Sequence, residues 1–201
     1  MVLYTPAEDA EIISSDSGKD TALRSASQVM YVSTILALAA AIDARDPSTY
    51  GHSQKVAKYA LLLGEAVGLS PEQLGSLRTA ALLHDIGKIG IPDNVLHKAQ
   101  RLTAKEKEEM QKHPAVAKSM LSHVPSLSLI LPQILHHHER FDGSGYPDGL
   151  AGDDIPLESR VLAIADAFDA ITTSRAYRSQ LSTGEAIAKL RRCAGTQFDP
   201  T

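Results

Sequence analysis

Between Thr21 and Ala44 the chain is alanine-rich with few charged interruptions, a pattern that predicts a long helix with an apolar face. Ahead of it, residues 1–20 are acidic and polar, with Ser14, Ser15, Asp16, Ser17 and Gly18 together, and read as a flexible N-terminal tail. Asp46-Pro47-Ser48-Thr49-Tyr50-Gly51 breaks the pattern. A second helix starts near His52, where Val56, Ala60, Leu63 and Val67 recur at helical spacing and predict one buried face. Gly68 ends it, and Pro71, suited to a first helical turn, opens a third that delivers His84 and Asp85. Adjacent side chains on a helix point about 100° apart, so this pair converges most easily near a helix end, which Gly87 helps to create by turning the backbone away.

Further on, Thr103 with Glu106 three residues later predicts a capping box, and the run from Lys105 to Glu109 reads as a solvated helix face. Pro114 opens a helix carrying Val116, Met120 and Leu121. Pro125 to His138 is apolar and helical, with Pro132 forcing a late start or a kink. The glycines and prolines of 139–156 predict an ordered loop of turns, and helices over Leu157–Thr173 and Thr183–Arg192 follow. No alternating strand pattern occurs, so the expected fold is all-α. Three parts are expected: the tail at 1–20, an N-terminal helix at 21–44 serving as linker or dimerisation helix, and one domain over 45–201.

Composition narrows the function classes. A net charge of −4 and a pI near 6.0 give no footprint for polymeric nucleic acid, so any phosphate must be held by a few placed cations or metals. The single cysteine, Cys193, excludes an internal disulfide framework and fits a reducing, cytoplasmic compartment. The longest apolar stretch, Val29 to Ile42, contains Ser33 and Thr34 and falls short of the ~20 residues a membrane span needs, so direct membrane insertion is not expected.

The segment Val161 to Ile171 is apolar on every side of a helix except for Asp166 and Asp169, which share a face. An all-round apolar helix is expected to be buried, and buried carboxylates need cationic or hydrogen-bonding partners. Histidines complement them. His52, His84, His113, His137 and His138 each sit at a helix start or end, where a side chain can turn toward a shared centre; His136 competes with its two neighbours, and His97 and His123 read as surface residues. Five imidazoles with two or three carboxylates make a two-metal site the simplest account.

These motifs resemble a known family. His84-Asp85-Ile86-Gly87-Lys88, His113-Pro114, His137-His138-Glu139-Arg140-Phe141-Asp142-Gly143-Ser144-Gly145-Tyr146-Pro147 and Ala165-Asp166-Ala167-Phe168-Asp169-Ala170 are similar, in that order, to the signature of HD-GYP domains, HD-superfamily phosphodiesterases of the bacterial messenger cyclic di-GMP. The resemblance implies an HD-superfamily helical bundle with a buried binuclear metal centre, and hydrolysis of cyclic di-GMP to linear pGpG, to GMP, or both. It implies metal ligands at His52, His84, Asp85, His113, His137, His138 and Asp166, with Asp85 bridging. It further implies Lys88 on the scissile phosphate, Tyr146 and Arg175 as substrate contacts, and Asp169 as a group that orients ligands or water. The expected cofactors are two divalent ions, Fe or Mn before Zn. Ser48 stands where some members carry a glutamate for a third metal, and Ala176 where a proline is usual. A last helix normally follows Gly195 to Pro200, so the chain to Thr201 is either a trimmed piece or a domain that closes without it. Open alternatives are a non-catalytic cyclic di-GMP receptor and a hydrolase of another cyclic dinucleotide; a homodimer or an upstream sensory domain is the expected partner.

Overall fold

The computed structural model describes residues 29–45, 51–173 and 180–201. The 1–20 tail, Ser48, Arg175 and Ala176 therefore lie outside the described residues. The chain divides into two units, 1–37 and 38–201. In the first, the described residues 29–37 are helical. The second begins with α1 (38–45) and continues with α2 (His52–Ala66), α3 (Pro71–Leu83), a 3-10 turn (Ile86–Gly90) and α4 (Asp93–Leu96). Then come α5 (Ala104–Met110), α6 (His113–Leu121), a 3-10 turn (Pro125–Ile130), α7 (Leu131–Leu135), a short 3-10 turn (Gly152–Asp154), α8 (Leu157–Thr172) and α9 (Thr183–Arg192). No strand occurs among the described residues, as expected of an all-α fold. None of their helices is long and apolar enough to cross a membrane.

α3 and α8 both pack on α2, and α6 packs on α7 and on the 86–90 turn. The core between them is filled by Val56 and Ala60 of α2, Leu77 and Leu83 of α3, Ile134 of α7 and Leu162 of α8. Ser70 with Gln73, Thr103 with Glu106 and Ser182 with Glu185 form capping boxes on α3, α5 and α9. Each satisfies amide groups that a helix start leaves open and stabilises its helix by about 1 kcal/mol.

Four expectations change in detail. Val67 is 48% exposed, because α2 stops at Ala66 and its last core position is filled by Gly64. Pro132 divides the 125–138 stretch into a 3-10 turn and α7, leaving the three histidines in a turn. α8 is buried on one face only; Ala163, Ala167 and Ala170 line a cleft. Gly87 does not have positive φ, so backbone freedom is not what the position requires. A Cβ there would lie 1.9 Å from the His113 carbonyl oxygen and 2.7 Å from the Ala117 amide nitrogen. Glycine lets the 86–90 turn lie directly on the backbone of α6, which brings Asp85 and His113 together.

Candidate metal centre

The site is built from helix ends. His52 opens α2, whose start is held by the buried Asp43: one carboxylate oxygen accepts from the Gly51 amide at 2.9 Å and the other from the Ser53 hydroxyl at 2.9 Å. His84 and Asp85 follow α3, His113 opens α6, His137 and His138 follow α7, and Asp166 and Asp169 come from α8. These side chains converge. Ligand-capable atoms of His52, His84 and Asp85 lie within 4.8 Å of one another, as do those of His113, His137 and His138. Asp85 spans the two groups, with Oδ2 3.5 Å from His84 Nε2 and Oδ1 3.5 Å from His113 Nε2.

The hydrogen bonds fix which ring nitrogen faces inward. His84 Nδ1 lies 2.8 Å from the Ala81 carbonyl, His113 Nδ1 2.9 Å from Met110 and His137 Nδ1 2.6 Å from Ile134. A carbonyl only accepts, so each Nδ1 donates its proton and each ring turns its Nε2 into the cluster. His113 Nε2 and His137 Nε2 are 3.5 Å apart, and His84 Nε2 is buried with no hydrogen-bond partner. Lone pairs facing one another, and facing a carboxylate, repel unless a cation lies among them. The residues therefore fit divalent metal ions, and imidazole-rich sets with carboxylate suit Fe, Mn or Zn.

Burial pushes the His113 and His137 imidazoles down, His137 well below the ordinary range, with neighbouring His138 adding to it. It also pushes His138 down to about 3. All three are thus neutral and ready to bind a cation at physiological pH. His52 differs. Burial lowers it, but Asp166 Oδ1 at 3.2 Å from Nε2 and Asp169 Oδ2 at 2.7 Å from Nδ1 carry it up to about 9. Burial also works against the charge on Asp85, yet Lys88, whose Nζ lies 2.6 Å from Oδ2, and the surrounding imidazoles hold it well below the usual carboxylate range. Asp166 is held low in the same way, chiefly by His52 against its burial.

The other sequence-picked residues are at or near this cluster, except Arg175, which is outside the described residues. Asp169 is 1% exposed, and its Oδ1 accepts from the Thr173 hydroxyl at 3.1 Å. Tyr146 is half-buried; its ring centroid is 4.9 Å from that of His138, and burial raises its hydroxyl pKa. His136 binds Asp148 at 3.0 Å, away from the cluster. Two buried carboxylates hold the site in place without any role that the sequence assigns them. Glu139 is 3% exposed and its Oε1 accepts from the amides of Asp148 at 2.8 Å and Gly149 at 3.0 Å, which holds the loop carrying Tyr146. Asp43, placed at the edge of a helix with no motif around it, gave no signal at all.

A cleft of about 440 Å³ opens over His137, His138 and Asp166, walled by Tyr146, α8 and α9. The sequence pattern of the HD domain family matches residues 37–201. The cyclic di-GMP phosphodiesterase response regulator RpfG of Xanthomonas campestris pv. campestris is 43% identical over 169 residues, covering 83% of this chain and 45% of that protein. A 3'3'-cGAMP-specific phosphodiesterase of Vibrio cholerae is 39% identical over 165 residues, covering 81% of this chain and 32% of that protein. The crystal structure of a cyclic GMP-AMP specific phosphodiesterase of V. cholerae has a similar fold, with a TM-score of 0.65 at 20% identity over 83% of this chain and 45% of that one. The chain thus spans less than half the length of these relatives. With the ordered histidines and aspartates gathered at one centre and the family pattern running through them, the chain belongs to the HD domain family.

Proposed function

We propose that this chain is a metal-dependent phosphodiesterase that hydrolyses cyclic di-GMP to pGpG, to GMP, or to both. The observation that carries the reading is Asp85, whose two carboxylate oxygens reach separate groups of inward-facing ligands beside a cleft. His52, His84 and Asp166 would hold one ion and His113, His137 and His138 the other, with Asp85 shared; Fe or Mn is preferred over Zn. Two such ions supply a nucleophilic hydroxide near neutral pH and draw charge from the phosphoryl oxygens.

The chain's own residues do the rest. Lys88, held against Asp85 at 2.6 Å, stands at the edge of the cluster, where its ammonium can take up charge building on the phosphate. Asp169 has one oxygen on His52 and the other on Thr173, so we assign it to orienting His52 and fixing its tautomer, in preference to handling the attacking water. Tyr146, beside His138, offers a ring face to a guanine, and Arg175 is assigned to the substrate from the motif alone. A cytoplasmic location goes with the single unpaired Cys193. The exposed Val29, Met30 and Val32 support a second copy or a sensory domain as partner.

A second reading, hydrolysis of another cyclic dinucleotide, is favoured by one observation: relatives named for 3'3'-cGAMP match about as well as some named for cyclic di-GMP. The test is turnover of each dinucleotide by protein loaded anaerobically with Fe(II) or Mn(II), with products separated by chromatography. Cyclic di-GMP consumed fastest supports the first reading, and 3'3'-cGAMP consumed fastest supports the second. No product from protein holding two ions would replace both with a receptor.

A further inference from the structure

A cyclic dinucleotide carries two phosphodiesters on opposite sides of its ring, both ionised at neutral pH. Only one can lie at the histidine cluster during cleavage, and a protein of net charge −4 has no general attraction for a dianion. The other phosphate needs cations placed for it. Among the described residues, three Lys and Arg side chains line the cleft: Lys107, Arg140 and Lys189. Arg140 is occupied by Asp142 at 3.0 Å and Ser144 at 2.8 Å.

The side-chain ammonium groups of Lys107, from α5, and Lys189, from α9, have neither an ion-pair nor a hydrogen-bond partner among the described residues. Of the acids near Lys107 on α5, Glu106 pairs with Lys98 at 2.6 Å and Glu109 with Lys112 at 2.5 Å. Of the acids that line the cleft among the described residues, Glu139 accepts the amides of Asp148 and Gly149 through Oε1, and Asp166 Oδ1 lies 3.2 Å from His52. Ala163, Ala167 and Ala170 of α8 line the same cleft with small side chains, which leaves room for the nucleotide ring. The run from Lys105 to Glu109 is therefore more than a solvated face: one member belongs to the cleft wall.

We infer that Lys107 and Lys189 form an anion subsite that takes the second, uncleaved phosphate of a cyclic dinucleotide, an inference that rests on the reading above for the identity of the ligand. The subsite reads phosphate and not base, so cyclic di-GMP and 3'3'-cGAMP use it alike. Equilibrium binding of cyclic di-GMP by calorimetry, beside steady-state turnover, tests it on the full chain. The variant K107A/K189A is expected to bind about tenfold more weakly and to show a matching rise in KM with kcat within about threefold, the size of two screened charge contacts. K107R/K189R should restore binding, and the parent's advantage should shrink in high salt. The rise should be confined to two-phosphate substrates and absent with bis(p-nitrophenyl) phosphate. Unchanged binding in K107A/K189A, or equal losses on one- and two-phosphate substrates, overturns the subsite. Lysine-dependent binding by a parent that turns nothing over would keep the subsite and overturn the hydrolase reading. A parent that neither binds nor cleaves overturns both.

Discussion

The two halves of the histidine cluster are held by different means. Two of the three imidazoles of the His113, His137 and His138 group donate Nδ1–H to backbone carbonyls three residues earlier, and burial keeps all three neutral. In the other group, His84 follows the same backbone rule, but His52 is gripped by the carboxylates of Asp166 and Asp169 and rises to about 9. One half is a set of lone pairs fixed by local helix geometry. The other is a carboxylate cage that holds a proton when no metal is present. The same core thus contains a preorganised neutral group of imidazoles and a group at which a bound metal would compete with a proton.

The largest expected effect comes from the residue that joins the halves. Asp85→Asn should lower turnover by about a thousandfold or more and reduce bound metal below two ions per chain, read by elemental analysis beside kinetics. Gly87→Ala strikes the neutral half, since its Cβ would meet the backbone of α6 at His113. It should cost about 2–4 kcal/mol in denaturant unfolding and displace His113, with loss of one ion. Asp169→Asn strikes the other half alone, and metal affinity should fall about 10–100-fold there while the His113 group still fills.

Acidity sharpens the contrast further. In metal-free protein the folded-state pKa of His52 lies above its ordinary 6.5, at about 9. The stability this contributes is fully present below about 6.5 and is lost as pH rises through about 9. Chelator-treated protein should therefore melt at lower temperature at pH 9 than at pH 6.5, while loaded protein, whose His52 has already given up its proton, should not show that decline. The smallest effect lies away from both halves: Thr103→Ala removes the α5 capping box and should cost about 1 kcal/mol, with metal content unchanged.

Helix order and the positions of the clustered histidines were legible because local rules govern them: apolar periodicity, prolines at helix starts, and a Thr103–Glu106 box. What was not legible depends on contacts between distant segments. Gly87 looked like a turn residue, but the space above it is taken by α6, twenty-six residues on at His113. The apolar run of α8 suggested full burial, yet one of its faces borders a cleft that needs small side chains. Asp43 and Glu139 are buried carboxylates that accept backbone amides, and nothing in their neighbouring sequence reveals which amides come to them. Lys107 sits in a charge run in which Glu106 pairs with Lys98 and Glu109 with Lys112, and its place in the cleft wall emerges only once α9 joins the same cleft.

In the proposed centre Asp85 would couple two metal ions into one hydrolytic unit. The most direct measurement is metal content per chain together with cyclic di-GMP turnover, in the parent and in Asp85→Asn, after anaerobic loading with Fe(II) or Mn(II). Two ions and linear product are expected from the parent, and fewer ions with no product from the variant. Full turnover by Asp85→Asn, or by a parent holding a single ion, would contradict it.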